Sequence, residues 1–336
     1  MSTYLLPVSY AVLQLIIVIA VGFIARRFGN WSDQFFGGLS RFVVRVALPL
    51  YFVARVGRTD LSSMSTLIPM PVAAVVLVFG ALVVSWGLFA LLPFRGANRR
   101  AGIAMATFGN SGYMPLTIGE IVPLAVPVIA ERFSANLVPV LVAAFVFVFS
   151  PLLWSIGQFI ITAPEEGSHN LSWRKLISPP LIGIIVGIVL SLTGVTRNVD
   201  DLASPIAHLF QAIDRLASIT LPLALVSLGA LIGGLKVPKG AFSHYLGLAL
   251  SVGAVRFLIL PGAFFALYAT GVLDPLGSAV IFALFLEMHT PPATNFSLMV
   301  GEAGVNTEHT AVTLLVSYVA YLVAMPVYLV LLLAVR

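Results

Sequence analysis

The stretches Phe108-Gly109-Asn110-Ser111-Gly112-Tyr113-Met114-Pro115-Leu116 and Glu287-Met288-His289-Thr290-Pro291-Pro292-Ala293-Thr294-Asn295 set glycine, asparagine and proline inside otherwise apolar runs of membrane-spanning length. Proline has no amide donor and its ring collides with the preceding turn. A helix that meets it opens its backbone at a depth where no bulk water can bond the freed carbonyls. Such a break persists only where protein buries it or where it lines a polar cavity. Two breaks at corresponding places in the two halves of a membrane chain point to a secondary transporter with its substrate site near the bilayer midplane.

Composition outside the breaks agrees. The chain has 336 residues, 60% of them hydrophobic and 9% charged, with a mean hydropathy of +1.06, outside the range of soluble domains. Ten segments are long enough for the ~30 Å hydrocarbon core: 4–25, 35–56, 67–94, 101–122, 135–162, 176–194, 206–234, 245–270, 275–300 and 307–334. They lack the alternation of a membrane barrel, so the fold is read as an all-α polytopic membrane protein. The first segment lacks a basic leader and runs into Arg26 and Arg27, so it is expected to be a retained span and not a signal peptide. With no cysteine, disulfides, thiolate nucleophiles and Cys-based metal sites are excluded. No metal-ligand cluster or nucleotide fingerprint is present, and nothing supports nucleic-acid binding.

Basic residues sort by side. Arg26, Arg27, Arg95, Arg99, Arg100, Arg174, Lys175, Lys236 and Lys239 fall on one face. Arg58, Arg132, Arg197 and Arg336 fall on the other, accompanied by Asp60, Glu131, Asp200 and Asp201. The positive-inside rule therefore places both termini outside. Segments 2 and 7 carry Ala47-Leu48-Pro49-Leu50 and Thr220-Leu221-Pro222-Leu223, and segments 4 and 9 carry the breaks. The chain reads as five helices repeated, 1–162 and 176–336, joined by a polar linker at 163–175. Five is odd, so the second copy enters from the opposite face, which makes a 5+5 inverted repeat.

At the breaks the sequence resembles the auxin efflux carrier family, which includes the plant PIN-FORMED and PIN-LIKES carriers and many bacterial permeases. The resemblance runs along the whole chain. Its most specific parts are Gly109-Asn110-Ser111-Gly112 with Pro115-Leu116, and Pro291-Pro292-Ala293-Thr294-Asn295 leading to Met325-Pro326. It implies a scaffold of helices 1, 2, 6 and 7, a transport domain of helices 3 to 5 and 8 to 10, helices 4 and 9 crossing, elevator-type alternating access, and a homodimer formed through the scaffold. The same architecture is shared with sodium-coupled bile acid symporters, where a helix 9 glutamate before the break helps bind sodium, and Glu287 stands at the similar place. The chain departs from the PIN-FORMED pattern in lacking an acidic and basic pair between Leu67 and Phe94. The implied substrate class is accordingly small organic anions, such as auxin-like indole acids or carboxylates.

Residue by residue, Asn110 offers an acceptor and two donors beside glycines that let a ligand approach the backbone. Ser111, Gly112, Pro115, Pro291, Pro292, Thr294 and Asn295 complete the expected substrate site, the prolines by shaping the backbone. Half-helix N-termini after these breaks would direct free N–H groups at an anion without a basic side chain. Glu287 is read as the one carboxylate deep in a span, where it must be neutralised by protonation, a cation or a partner such as His289, Arg256 or a helix end. With His289 it forms the expected ion-coupling pair, for sodium or protons. Arg256 is read as a structural pairing group, Arg41 and Arg45 as snorkelling residues on one face of helix 2, and Asp214 and Arg215 as interfacial. A secondary carrier of small organic anions, exporting or equilibrating them, in the inner membrane of a bacterium, is the leading reading. The alternatives are a sodium-coupled symporter, a channel or sensor on the same frame, and a rhomboid-like serine protease with Ser111 as nucleophile in a G-x-S-G motif.

Overall fold

Apolar stretches uninterrupted by glycine-proline clusters fold as long helices. The computed structural model describes residues 2–59, 67–162, 177–199, 204–234, 242–305 and 307–335, and every regular element among them is helical. In chain order the α-helices are α1 (Ser2–Phe28), α2 (Asp33–Phe42), α3 (Leu48–Gly57), α4 (Pro69–Leu91), α5 (Gly96–Thr107), α6 (Tyr113–Ala125), α7 (Pro127–Phe133), α8 (Val138–Leu152), α9 (Gln158–Thr162), α10 (Pro179–Thr193), α11 (Pro205–Ser218), α12 (Thr220–Gly234), α13 (Phe242–Ala254), α14 (Leu260–Ala269), α15 (Ser278–Met288), α16 (Asn295–Ala303) and α17 (Thr307–Val335). The expected linker at 163–175 lies outside the described residues, as do Asp60, Arg174, Lys175, Asp200, Asp201, Lys236, Lys239 and Arg336.

Among the described residues, seven helical spans are long and apolar enough to cross a bilayer: Leu6–Phe28, Gln34–Gly57, Pro69–Leu91, Ala135–Thr162, Pro205–Gly234, Tyr245–Ala269 and Thr307–Val335. Three expected segments fall short as single helices. Segment 101–122 is divided between α5 and α6, and segment 275–300 between α15 and α16. Segment 176–194 is described as α10, an apolar helix of 15 residues. The end of segment 4 also differs. Helix α6 runs on to Ala125 and turns through 114° at Val126 into α7, a pair that would make an eighth span. Pro127 begins α7 and Ser134, at a left-handed φ of 46°, ends it. Pro127, at the first position of α7, leaves that helix intact, and Pro123 lies within the last turn of α6.

Three helices contain a π-helical turn, at Val43–Ala47, Leu153–Gly157 and Val255–Ile259. The first and third come just before Pro49 and Pro261. A proline ring presses on the carbonyl four residues back; a π turn, bonding five back, relieves that clash and lets the span continue.

Glycine sets the closest helix approaches. The α1–α12 contact brings Gly22 onto the Val226 backbone and Gly229 onto the Ile19 carbonyl, where an added Cβ would overlap them. The α3–α10 contact does the same with Gly183 against Pro49. Small residues allow such backbone approach, the main source of helix association where lipid is as apolar as the side chains. Gly229→Val is therefore expected to push α1 and α12 apart at about 1–3 kcal/mol, read as an earlier loss of monodisperse protein on heating in detergent. An unchanged midpoint would show that this contact does not hold the fold.

Candidate functional site

The two breaks meet. Helix α5 ends at Thr107 and α15 at Met288; α6 resumes at Tyr113 and α16 at Asn295. Between them Gly109 faces Pro292 in an isolated antiparallel bridge. The Asn110 amide donates to the Pro291 carbonyl at 2.8 Å and the Ala293 amide to the Phe108 carbonyl at 3.0 Å. Each broken chain thus satisfies backbone groups that the other has lost from its helix. Asn110 Nδ2 donates to the Tyr318 hydroxyl of α17 at 2.6 Å, and that hydroxyl donates on to the Pro292 carbonyl at 3.3 Å.

Arg256, in the π turn between α13 and α14 and only 1% exposed, holds both breaks. Its Nε donates to the Thr290 carbonyl at 2.7 Å, one terminal nitrogen contacts the Thr107 carbonyl at 3.4 Å, and the other donates to Thr290 Oγ1. Thr290 Oγ1 in turn donates to the Glu287 carbonyl at 3.0 Å. The guanidinium therefore sits where α5 and α15 present their partially negative ends. Gly109 makes this possible, because a Cβ there would overlap Arg256 and Thr290 Oγ1.

Glu287 and His289 are both 0% exposed. Neither carboxylate oxygen of Glu287 is within hydrogen-bonding geometry of another group among the described residues; Ser111 and Arg256 are its polar neighbours. His289 is packed among Phe264, Phe265, Phe285 and Tyr328, with ring centroids 4.3 to 5.5 Å away. Its Nδ1 contacts the Phe285 carbonyl at 2.6 Å, which selects the tautomer with the proton on Nδ1, and Nε2 has no partner among the described residues.

The expected substrate residues divide by exposure. Asn110, Ser111, Pro115, Pro291 and Pro292 are buried, while Gly112, Thr294 and Asn295 are half-buried. A Cβ on Gly112 would meet nothing within 4 Å. Gly112, just before α6, and Thr294 and Asn295, at the start of α16, are thus the partly exposed residues of the two breaks.

Residues 7 to 329 match the family model described as membrane transport protein. The chain belongs to that family, which is the family of the auxin efflux carriers. It is also 23% identical over 328 residues, covering 94% of this chain and 96% of the other, to an uncharacterized transporter of Methanothermobacter thermautotrophicus. The protein is an integral membrane protein of a secondary-transporter family.

In this transporter His289 Nδ1 donates to the Phe285 carbonyl, and Nε2 has no hydrogen-bond partner among the described residues, Ser111 included. Three participants were not recognised from sequence. Tyr318 and Thr290 bond across the breaks, yet nothing local in an apolar helix marks a tyrosine as an asparagine's partner 208 residues away. Glu120, inside segment 101–122, joins Glu287 as a second carboxylate within a span. It accepts from Tyr51 and Arg55 at 2.5 and 3.0 Å. Asp214 is paired with Arg58, and Arg41 bonds the Gly37 carbonyl of its own helix.

Proposed function

We propose that the protein is a secondary carrier of small organic anions, such as indole acids or small carboxylates, that binds them at the half-open corner formed by Gly112, Thr294 and Asn295. What supports this is that two half-helices, α6 and α16, begin within the broken segments, at Tyr113 and Asn295. Their positive dipole ends favour an anion with no basic side chain. Asn110 and Ser111 form its floor. Pro115, Pro291 and Pro292 keep the backbone open.

We further read the chain as ten spans in a 5+5 inverted repeat with both termini outside, α5/α6 and α15/α16 being the broken fourth and ninth spans. Reciprocal packing supports this: the first span (α1) packs on the seventh (α12), as the sixth (α10) packs on the second (α3). The scaffold is α1–α3 with α10–α12; the transport domain, α4–α9 with α13–α17, moves past it as an elevator. Glu287 carries the coupling cation or proton, since its two unpartnered oxygens at full burial demand neutralisation, with His289 as the second titratable group. Placement in a bacterial inner membrane and pairing of two scaffolds into a homodimer complete the proposal.

The test is current recorded on a solid-supported membrane carrying purified protein, challenged with indole acids, malonate, malate and lactate, with and without sodium. A saturable current is expected. Asn110→Ala should weaken it at least ~10-fold, the cost of about 1–3 kcal/mol for leaving Tyr318 without its donor. Glu287→Gln should remove its dependence on the coupling ion. A current that is ohmic and shows no trans-stimulation would mean a channel.

A further inference from the structure

The polar side-chain contacts away from the crossing sort by helix group. Within α1–α3 and α10–α12, Ser191 donates to the Thr59 carbonyl, Thr196 to Gly57 and Thr220 to Ala47, and Arg58 pairs with Asp214. Within α4–α9 and α13–α17, Arg132 donates to Tyr268 and Leu333, Tyr328 to Phe257, and Tyr245 to Glu308. A charged contact joins the groups: Tyr51 and Arg55 of α3 both donate to Oε1 of Glu120 in α6. A neutral one, Ser150 with Ser178 at 2.9 Å, joins them at α8 and α10.

We propose that Tyr51, Arg55 and Glu120 form a latch that holds the two helix groups in the conformation described here and opens when they slide. This rests on the moving-domain reading above. The two sides of the contact differ in the way a latch requires. On the α3 side the donors are fixed: Tyr51 is 1% exposed, and the Arg55 guanidinium lies over its ring, 5.4 Å from the centroid. Glu120 instead rides on the half-helix whose first residue, Tyr113, borders the open corner. Seven residues of helix separate them, about 10 Å, so a displacement at the corner reaches Glu120 along one rigid element. The Arg55 and Glu120 side chains are 46% and 28% exposed. Both also lie near the ends of their helices, Arg55 two residues before α3 stops at Gly57 and Glu120 five before α6 stops at Ala125. Interfacial water can there replace the contact when it breaks, and salt screens it. A contact that must be remade in every cycle needs those properties; a buried pair would lock the protein.

The chain has no cysteine, so spin labels enter cleanly at Leu124→Cys on α6 and Leu209→Cys on α11, which are 84% and 60% exposed. Pulsed electron-electron distances between them report the offset of the two groups without any substrate. The latched protein is expected to give one main distance in low salt. Glu120→Ala is expected to populate a second one, as is the pair Tyr51→Phe with Arg55→Ala made from the other side. Molar sodium chloride should move the latched protein the same way and leave Glu120→Ala unmoved. Identical distributions in Glu120→Ala and its parent overturn the latch, as does a shift that the α3-side variants do not reproduce. If the distances shift while no anion gives a current, the latch stands and the substrate reading fails; a current with unmoved distances has the opposite meaning.

Discussion

Gly109→Ala is expected to abolish transport and to lower the thermal midpoint by several degrees, while Gly112→Ala, three residues on, leaves the midpoint unchanged. The two glycines do different work. At Gly109 the missing side chain is the space that Arg256 and Thr290 occupy, and a methyl group would overlap both. Neither neighbour can move aside without losing bonds, since Arg256 is committed to the Thr290 and Thr107 carbonyls. Overpacking of this kind costs about 1–3 kcal/mol, and displaced buried bonds add about 1–3 kcal/mol for each group left unsatisfied. At Gly112 the backbone has an ordinary φ of −95° and a Cβ faces open space. Gly112→Leu should therefore fill the corner, removing substrate current in a protein that melts like the parent. Thermal unfolding by intrinsic fluorescence beside current measurements separates the two cases. A Gly112→Leu variant that transports normally would place the substrate elsewhere.

Arg256→Met should be the most destabilising single side-chain replacement at the crossing. The guanidinium supplies donors to the carbonyls that close α5 and α15, and among lipids and apolar side chains no water takes over. Removing one member of such a buried charged set costs about 3–5 kcal/mol. Arg256→Lys should recover only part of this, because an ammonium is a compact point charge that cannot span Thr290 O, Thr290 Oγ1 and Thr107 O together. Glu287→Gln combined with Arg256→Met should cost less than the sum of the two single changes, since the Glu287 charge loses its cationic neighbour in the single Arg256 variant. Folded fraction after detergent extraction, and the midpoint of what survives, measure all four proteins. Strict additivity would mean that the two charges do not sense each other.

Much of the frame was legible because membrane helices announce themselves by length and breaks by proline. The two divided segments were placed from Asn110, Pro115, Pro291 and Pro292, residues whose backbone chemistry is the same in any context. What escaped depends on partners distant in sequence. Asn110 reads as polar and available until Tyr318 takes its amide. Arg256 reads as one arginine in an apolar run until the carbonyls of Thr107 and Thr290, from the two broken segments, converge on it. Glu120 passed unnoticed because an acid five residues past Pro115, close to the end of a segment, looks interfacial. The turn at Val126 and the π turns stand beside prolines, but a proline alone does not tell a bend from a π turn or from an ordinary first turn of a helix.

The π turn that carries Arg256 separates the count of residues from the face they occupy. It holds one residue more than an α-helix of the same rise, so α13 and α14 are out of phase with each other by about 100°. Deleting any one residue from Val255–Ile259 would restore the ordinary winding, leave hydropathy and span length almost untouched, and swing everything on one side of the deletion to a new azimuth. Either the guanidinium leaves the crossing or α14 turns its Phe264 and Phe265 away from His289. This stretch should therefore tolerate exchange of its apolar side chains far better than a change in length, and descent with insertions and deletions should be barred here even though the letters themselves look interchangeable.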